Sequence, residues 1–180
     1  MESPLSYALA FFFALFLFLS SSSLANASTQ LIDDVCKNTI NNAECLKILD
    51  SNPQALSASS YKDLAQVALG LAIANAEDSQ TFINNLLKSD PRDAIKECAS
   101  SYKAVVASFK SSKAEIEEDP MTANYDAKIA GDDAGNCETA LSSKGVKVPA
   151  ISARNHVVQF TCLMLLLSLS LIPELKLPIC

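Results

Sequence analysis

Six cysteines, one histidine and two acidic runs are the side chains of this 180-residue chain with the means to do chemistry. His156 is the only histidine, and no G-x-S-x-G elbow is present, so an acyl-transfer triad has no nucleophile motif to start from. A Cys–His dyad built on Cys162 would put its members six residues apart, on different faces of one helix. His156 therefore reads as an exposed or locally bonded residue near a helix start. The run "EIEED" from Glu115 to Asp119 reads as a solvated helix surface. "GDDAGN" from Gly131 lacks the alternating ligands and closing bidentate Glu of a calcium loop. No glycine loop that would cradle phosphate occurs, and no C-x-x-C supplies zinc-site spacing. No cofactor or metal is implied.

The cysteines remain, at positions 36, 45, 98, 137, 162 and 180. Their chemistry depends on the compartment. Residues Ala8 to Leu19 are apolar without a break, and four serines and a small-x-small site ending at Ala25 or Ala27 follow. This is the layout of a secretory signal peptide, although Glu2 sits in the n-region and no Lys or Arg precedes the apolar run. The run is also too short to span a bilayer. We assign residues 1–27 to a leader and residues 28–180 to one mature domain of about 150 residues, enough for a real core. The sequon Asn26-Ala27-Ser28 straddles the cleavage site. In an oxidising space cysteines pair, and six allow fifteen full pairings. A Cys36–Cys45 bridge would staple the short stretch "CKNTINNAEC", and a Cys98–Cys137 bridge would tie two helices; spacing alone leaves the choice open. The formal net charge is −6, which excludes nucleic acid as a natural partner and favours a basic protein surface.

The elements that must position these groups are helices. Glycine is rare, Ala, Leu, Ser, Lys and Glu are common, and alternating β-branched runs are absent. Residues 30–40 and 43–50 read as a helical hairpin turning at Asn41-Asn42, within a unit spanning 28–52, and a loop with Pro53 follows. Ser60 caps a long helix with Leu64, Ala68, Leu71, Phe82 and Leu86 on one face. Asp90 caps the next helix, with Pro91 at its first position. Ile95, Cys98, Tyr102, Val105, Phe109 and Ile116 recur at threes and fours, skipping Ser112, as a bundle seam. A further helix over 122–142 turns Tyr125, Ile129, Cys137 and Leu141 inward. Ser152 caps the last helix, which is apolar nearly all round from Val157 to Ile172. It reads as a core helix, because Pro173, Glu174 and Lys176 follow where a lipid-anchor signal would end in its apolar stretch. Membrane association is the weaker reading. The fold class is all-α: an up-down-up-down four-helix bundle over 57–172, preceded by the hairpin, followed by a tail over 173–180, and carrying two disulfides.

With those elements in place the pattern resembles the plant inhibitors of pectin methylesterase and acid invertase. The resemblance rests on the leader, "VCKNTINNAEC" as the hairpin, "AIKECASSYKAVV" in a bundle helix, "YDAKIAGDDAGNCETAL" around the fourth cysteine and "VPAISARNH" before the last helix. It implies that Cys36 pairs with Cys45 and Cys98 with Cys137, and that Cys162 matches a fifth cysteine often found in the last helix. It implies a secreted inhibitor without catalysis of its own, in the apoplast and cell wall or, alternatively, the vacuole. Pectin methylesterase is the first target and acid invertase the alternative. Many relatives place a proline shortly before the second cysteine, where this chain has Asn42. The invertase-directed branch often carries Pro-Lys-Phe before the fourth cysteine, and this chain has Pro120-Met121-Thr122 there. The segment Glu118, Asp119, Pro120, Met121 and Thr122 is accordingly the candidate partner-binding site. From another class, a small-ligand or lipid carrier is the competing reading; the alanine-rich seams argue for close packing against it.

Overall fold

The computed structural model describes residues 30–175. The expected leader, its sequon and Cys180 lie outside them. Seven helices and no strand occur among the described residues: α1 over 30–36, α2 Asn42–Asp50, α3 Pro53–Leu56, α4 Tyr61–Ser89, α5 Asp93–Glu115, α6 Pro120–Ser143 and α7 Pro149–Ser170.

Local chemistry sets most boundaries. α1 stops at residue 36, short of the expected 40, because Asn38 Nδ2 donates back to the Asp34 carbonyl (2.9 Å) and Thr39 Oγ1 to the Cys36 carbonyl (2.8 Å). Such bonds compete with helix propagation. Asn41 then caps α2: its side-chain Oδ1 accepts from Glu44 N, and its side-chain Nδ2 donates to Glu44 Oε2 (2.9 Å). The loop expected at Pro53 is instead the short helix α3, with Asn52 as cap and Pro53 at the first position. Ser60 caps α4 as expected.

The start of α5 differs from expectation. The Asp90 N–H closes α4 onto Leu86, and its carboxylate is taken by Arg92, with Nε to Oδ1 at 2.8 Å. Arg92, not Asp90, occupies the cap position, so Pro91 lies ahead of the helix. α6 ends in a Schellman turn: Val146 N donates to Leu141 O (2.9 Å) and Gly145 N to Ser142 O (3.1 Å), with Gly145 at φ +63°. α7 begins at Pro149, three residues before the expected cap. Ser152 lies in its first turn and donates to Glu138 Oε1 (2.9 Å) on α6.

Packing follows a closed ring. α4 lies against α5 and α7, and α6 lies against α5 and α7. With short connections between consecutive helices this is the up-down-up-down bundle. The buried face of α4 is Leu64, Ala65, Ala68, Leu69, Ala72, Ala76, Ser79 and Ile83; Leu71, Phe82 and Leu86 are half-buried on its flank. The α5 seam is filled by Ile95, Cys98, Tyr102, Val105 and Phe109. Ser112 fills the skipped step and donates to the Ala123 carbonyl (2.8 Å). α6 turns in Ala123, Ala127, Ala130 and Ala134 together with Cys137 and Leu141. Tyr125, expected inside, is 61% exposed, and Ile129 is half-buried. Small side chains let α5 and α6 approach closely, and a ring would not fit that seam.

The hairpin's Ile32, Val35, Cys36, Cys45 and Leu49 belong to the same buried cluster as the bundle. Tyr61 Oη donates to Asp34 Oδ2 (2.7 Å) and ties the hairpin to the head of α4. Cys36 is bridged to Cys45, and Cys98 to Cys137 across α5 and α6. On a chain-entropy argument these loops contribute about 2.5–3 and about 4 kcal/mol. α7 is the one helix among the described residues long and apolar enough to cross a membrane by length and composition. Half of that stretch is buried in the bundle, including Val158, Met164, Leu165, Leu167 and Leu169.

Candidate functional site

The corner between α5 and α6 is built from short-range bonds. Asp119 N donates to Glu115 O (2.8 Å) and Glu118 N to the same carbonyl (3.0 Å), which closes α5. Asp119 then caps α6: its Oδ1 accepts from Thr122 N (3.1 Å) and its Oδ2 from Thr122 Oγ1 (2.7 Å), with Pro120 at the first helical position. One residue before the corner, Glu117 is held by α4. Lys62 Nζ reaches its carbonyl (3.2 Å) and its Oε2 (2.5 Å), and Gln66 donates to its Oε1. Glu118, Asp119 and Met121 are exposed, and Pro120 and Thr122 are half-buried.

The corner is strongly acidic. The hydroxyl and N–H of Thr122 hold the Asp119 carboxyl below its ordinary value, so it keeps its charge. Glu115 is pushed up, first by burial and then by the charges of Asp126 and Asp119. Its Oε2 is buried without a hydrogen-bond partner. The corner thus presents a fixed, negatively charged shape with Met121 exposed at 61%. It offers no cation at 121 and no ring at 122.

The other side chains singled out by type do not assemble a reaction centre. His156 is exposed, its ring stacked on Phe160 at 6.0 Å and its Nδ1 3.9 Å from Glu44 Oε1. Cys162 is buried, with Sγ donating to the Ala127 carbonyl (3.0 Å). "GDDAGN" is helical: Asp132 faces Lys128 (3.4 Å) and Asn136 Nδ2 donates to Asp133 Oδ1 (3.3 Å). No group of three metal-ligating side chains converges among the described residues.

Sequence reasoning passed over one polar chain. Tyr102 Oη donates to Asn155 Oδ1 (2.9 Å), Asn155 Nδ2 to Glu138 Oε2 (2.8 Å), and Ser152 binds the other oxygen of the same carboxylate. Burial pushes the Tyr102 hydroxyl up to about 12, so it stays a donor. Asn155 is 1% exposed, and its amide was the available signal: a polar residue spaced with Ile151 and Val158 on the inward face.

The family model of the plant invertase/pectin methylesterase inhibitors matches residues 30–167. The chain belongs to this family. Members similar to it include a Platanus acerifolia protein named as an invertase inhibitor, 30% identical over 174 residues, with 89% of this chain and 94% of that protein covered. A pectinesterase inhibitor of Actinidia deliciosa is 29% identical over 128 residues, covering 68% of this chain and 69% of that protein. The inhibitor fold is shared with the crystal structure of a mutant form of an Arabidopsis pectin methylesterase inhibitor. The TM-score is 0.71 at 17% identity, over 79% of this chain and 97% of that one.

Proposed function

We propose that the chain is a secreted inhibitor of plant pectin methylesterase, without catalysis of its own, that forms a stoichiometric complex and covers the enzyme's substrate cleft. The observation that carries the choice of target is the α5–α6 corner. An invertase-directed corner would offer Lys and Phe to an acidic glycosidase site, for charge pairing and stacking. Here Met121 is apolar and the Thr122 hydroxyl is engaged by Asp119. A rigid inhibitor loses little freedom on binding, and the capped, clamped corner and the two bridges supply that rigidity. The bridges also support secretion, since they persist in oxidising spaces such as the cell wall. Acid invertase is the second reading, favoured by the name of the Platanus acerifolia relative. Titration of the purified chain against a plant pectin methylesterase and an acid invertase, side by side, tests the proposal. Strong inhibition of the invertase with none of the esterase would reverse it.

A further inference from the structure

Two of the large apolar side chains exposed on the described surface stand next to each other. Met121 and Tyr125 are four residues apart on α6 and each is 61% exposed; positions i and i+4 are neighbours on a helix surface. The others, Ile40, Leu56 and Val157, lie on separate elements.

The ground under the pair is fixed. Asp119 caps the turn that carries Met121, and Ser112 holds the Ala123 carbonyl between the two side chains. Inward, Ala123 and Ala127 are fully buried, so the helix cannot roll the ring into the core. Tyrosine supplies a large, rigid contact area at small entropic cost and is enriched among interface residues that dominate affinity. Carboxylates border the pair: Glu118 and Asp119 before it, and Asp126 beside Tyr125. Like charges crowd this corner: Glu115 is pushed up first by burial and then by the charges of Asp126 and Asp119. Further along the same face Lys128 pairs with Asp132 at 3.4 Å. An approaching cation would relieve the repulsion.

We propose that Met121 and Tyr125 are the anchor of a protein-docking surface whose occupant is an enzyme rim with an apolar socket bordered by lysine or arginine side chains. The proposal rests on the inhibitor reading and names the part of the chain that grips the esterase.

The test compares the unmodified, disulfide-bonded chain with Tyr125→Ala, Met121→Ala, the double variant and Glu118→Lys. Association and dissociation with a plant pectin methylesterase are measured, alongside thermal melting of each protein. The expected result is unchanged melting, an affinity loss of about 30-fold or more in the double variant through faster dissociation, and a severalfold slower, less salt-sensitive association for Glu118→Lys. If the unmodified chain binds the esterase and the double variant binds within about twofold of it, on the same scale, the docking surface is overturned and the inhibitor reading stands. If Glu118→Lys associates faster, the stated chemistry of the occupant is wrong. If the unmodified chain binds no esterase, the inhibitor reading falls and takes this occupant with it.

Discussion

At Gly131, inside α6, an added Cβ would come to 2.9 Å from Cys162 Sγ on α7. At Gly70, inside α4, it would meet nothing within 4 Å. Glycine in a helix interior costs about 0.5–1 kcal/mol relative to alanine. Gly70→Ala is therefore expected to stabilise the protein by about that amount. Gly131→Ala forces the α6–α7 contact apart and is expected to destabilise by about 1–3 kcal/mol; adding Cys162→Ala should recover part of the loss. Urea denaturation of the three variants measures both signs. Two carboxylates at the corner likewise oppose each other. Glu115 is pushed up by burial and then by the charges of Asp126 and Asp119. Its contribution to stability is present below the ordinary glutamate range and lost as pH rises through its raised value. Asp119 is held down by Thr122, so its contribution is present above the ordinary aspartate range and lost as pH falls through its lowered value. Melting curves between acid and neutral pH should show Glu115→Gln gaining relative to the parent as pH rises, and Asp119→Asn losing.

Among the elements, α7 is the one whose sequence carries least information about orientation, being apolar on almost every side. The structure separates neighbours that look alike: Leu165 is fully buried and Leu166 half-buried. Leu165→Asp is expected to cost several kcal/mol by leaving a charge unpaired in the core, and Leu166→Asp clearly less. Secretion yield and circular-dichroism melts check the ranking. The long helices were legible, and so was the α5 seam, because Ile95, Cys98, Tyr102, Val105 and Phe109 combine size with a helical period. On α6 Cys137 and Leu141 were read correctly as inner, but the amino-terminal half of that face was not, because its period is written in alanines and the larger Tyr125 drew the reading to the wrong side. Boundaries failed where a polar side chain had a nearer partner than the helix end: Asp90 found Arg92, Ser152 found Glu138, and Asn38 and Thr39 turned back on α1. At the candidate corner, Pro120 and the preceding acids announced exposure. The docking partner proposed for Met121, Tyr125, would have been found by reading Ala123, Ala127, Ala130 and Ala134 as the seam.

For the molecule as a whole, target choice is expected to respond to the corner without a change of fold. Met121→Lys with Thr122→Phe restores a cation and a ring. The Thr122 hydroxyl bond to Asp119 is lost, but the backbone N–H at 122 still reaches Asp119 Oδ1. A charge-assisted contact in a desolvated site is worth a few kcal/mol, so invertase affinity should rise by about tenfold or more. The esterase complex should weaken, since Met121 is part of its proposed anchor. Paired inhibition titrations of the parent and the double variant give both numbers. The helical ring has a further consequence, in time rather than space. It closes between α4 and α7, its first and last members. A chain emerging amino end first completes α4, α5 and α6 while the last side of the bundle is still missing. At that moment Tyr102 has no Asn155 to bond and Glu138 has neither Asn155 nor Ser152. All four bridged cysteines, the last of them Cys137, have by then been made. Both covalent links can therefore form in a molecule whose interior is open along one wall, and full oxidation is no certificate that folding has finished.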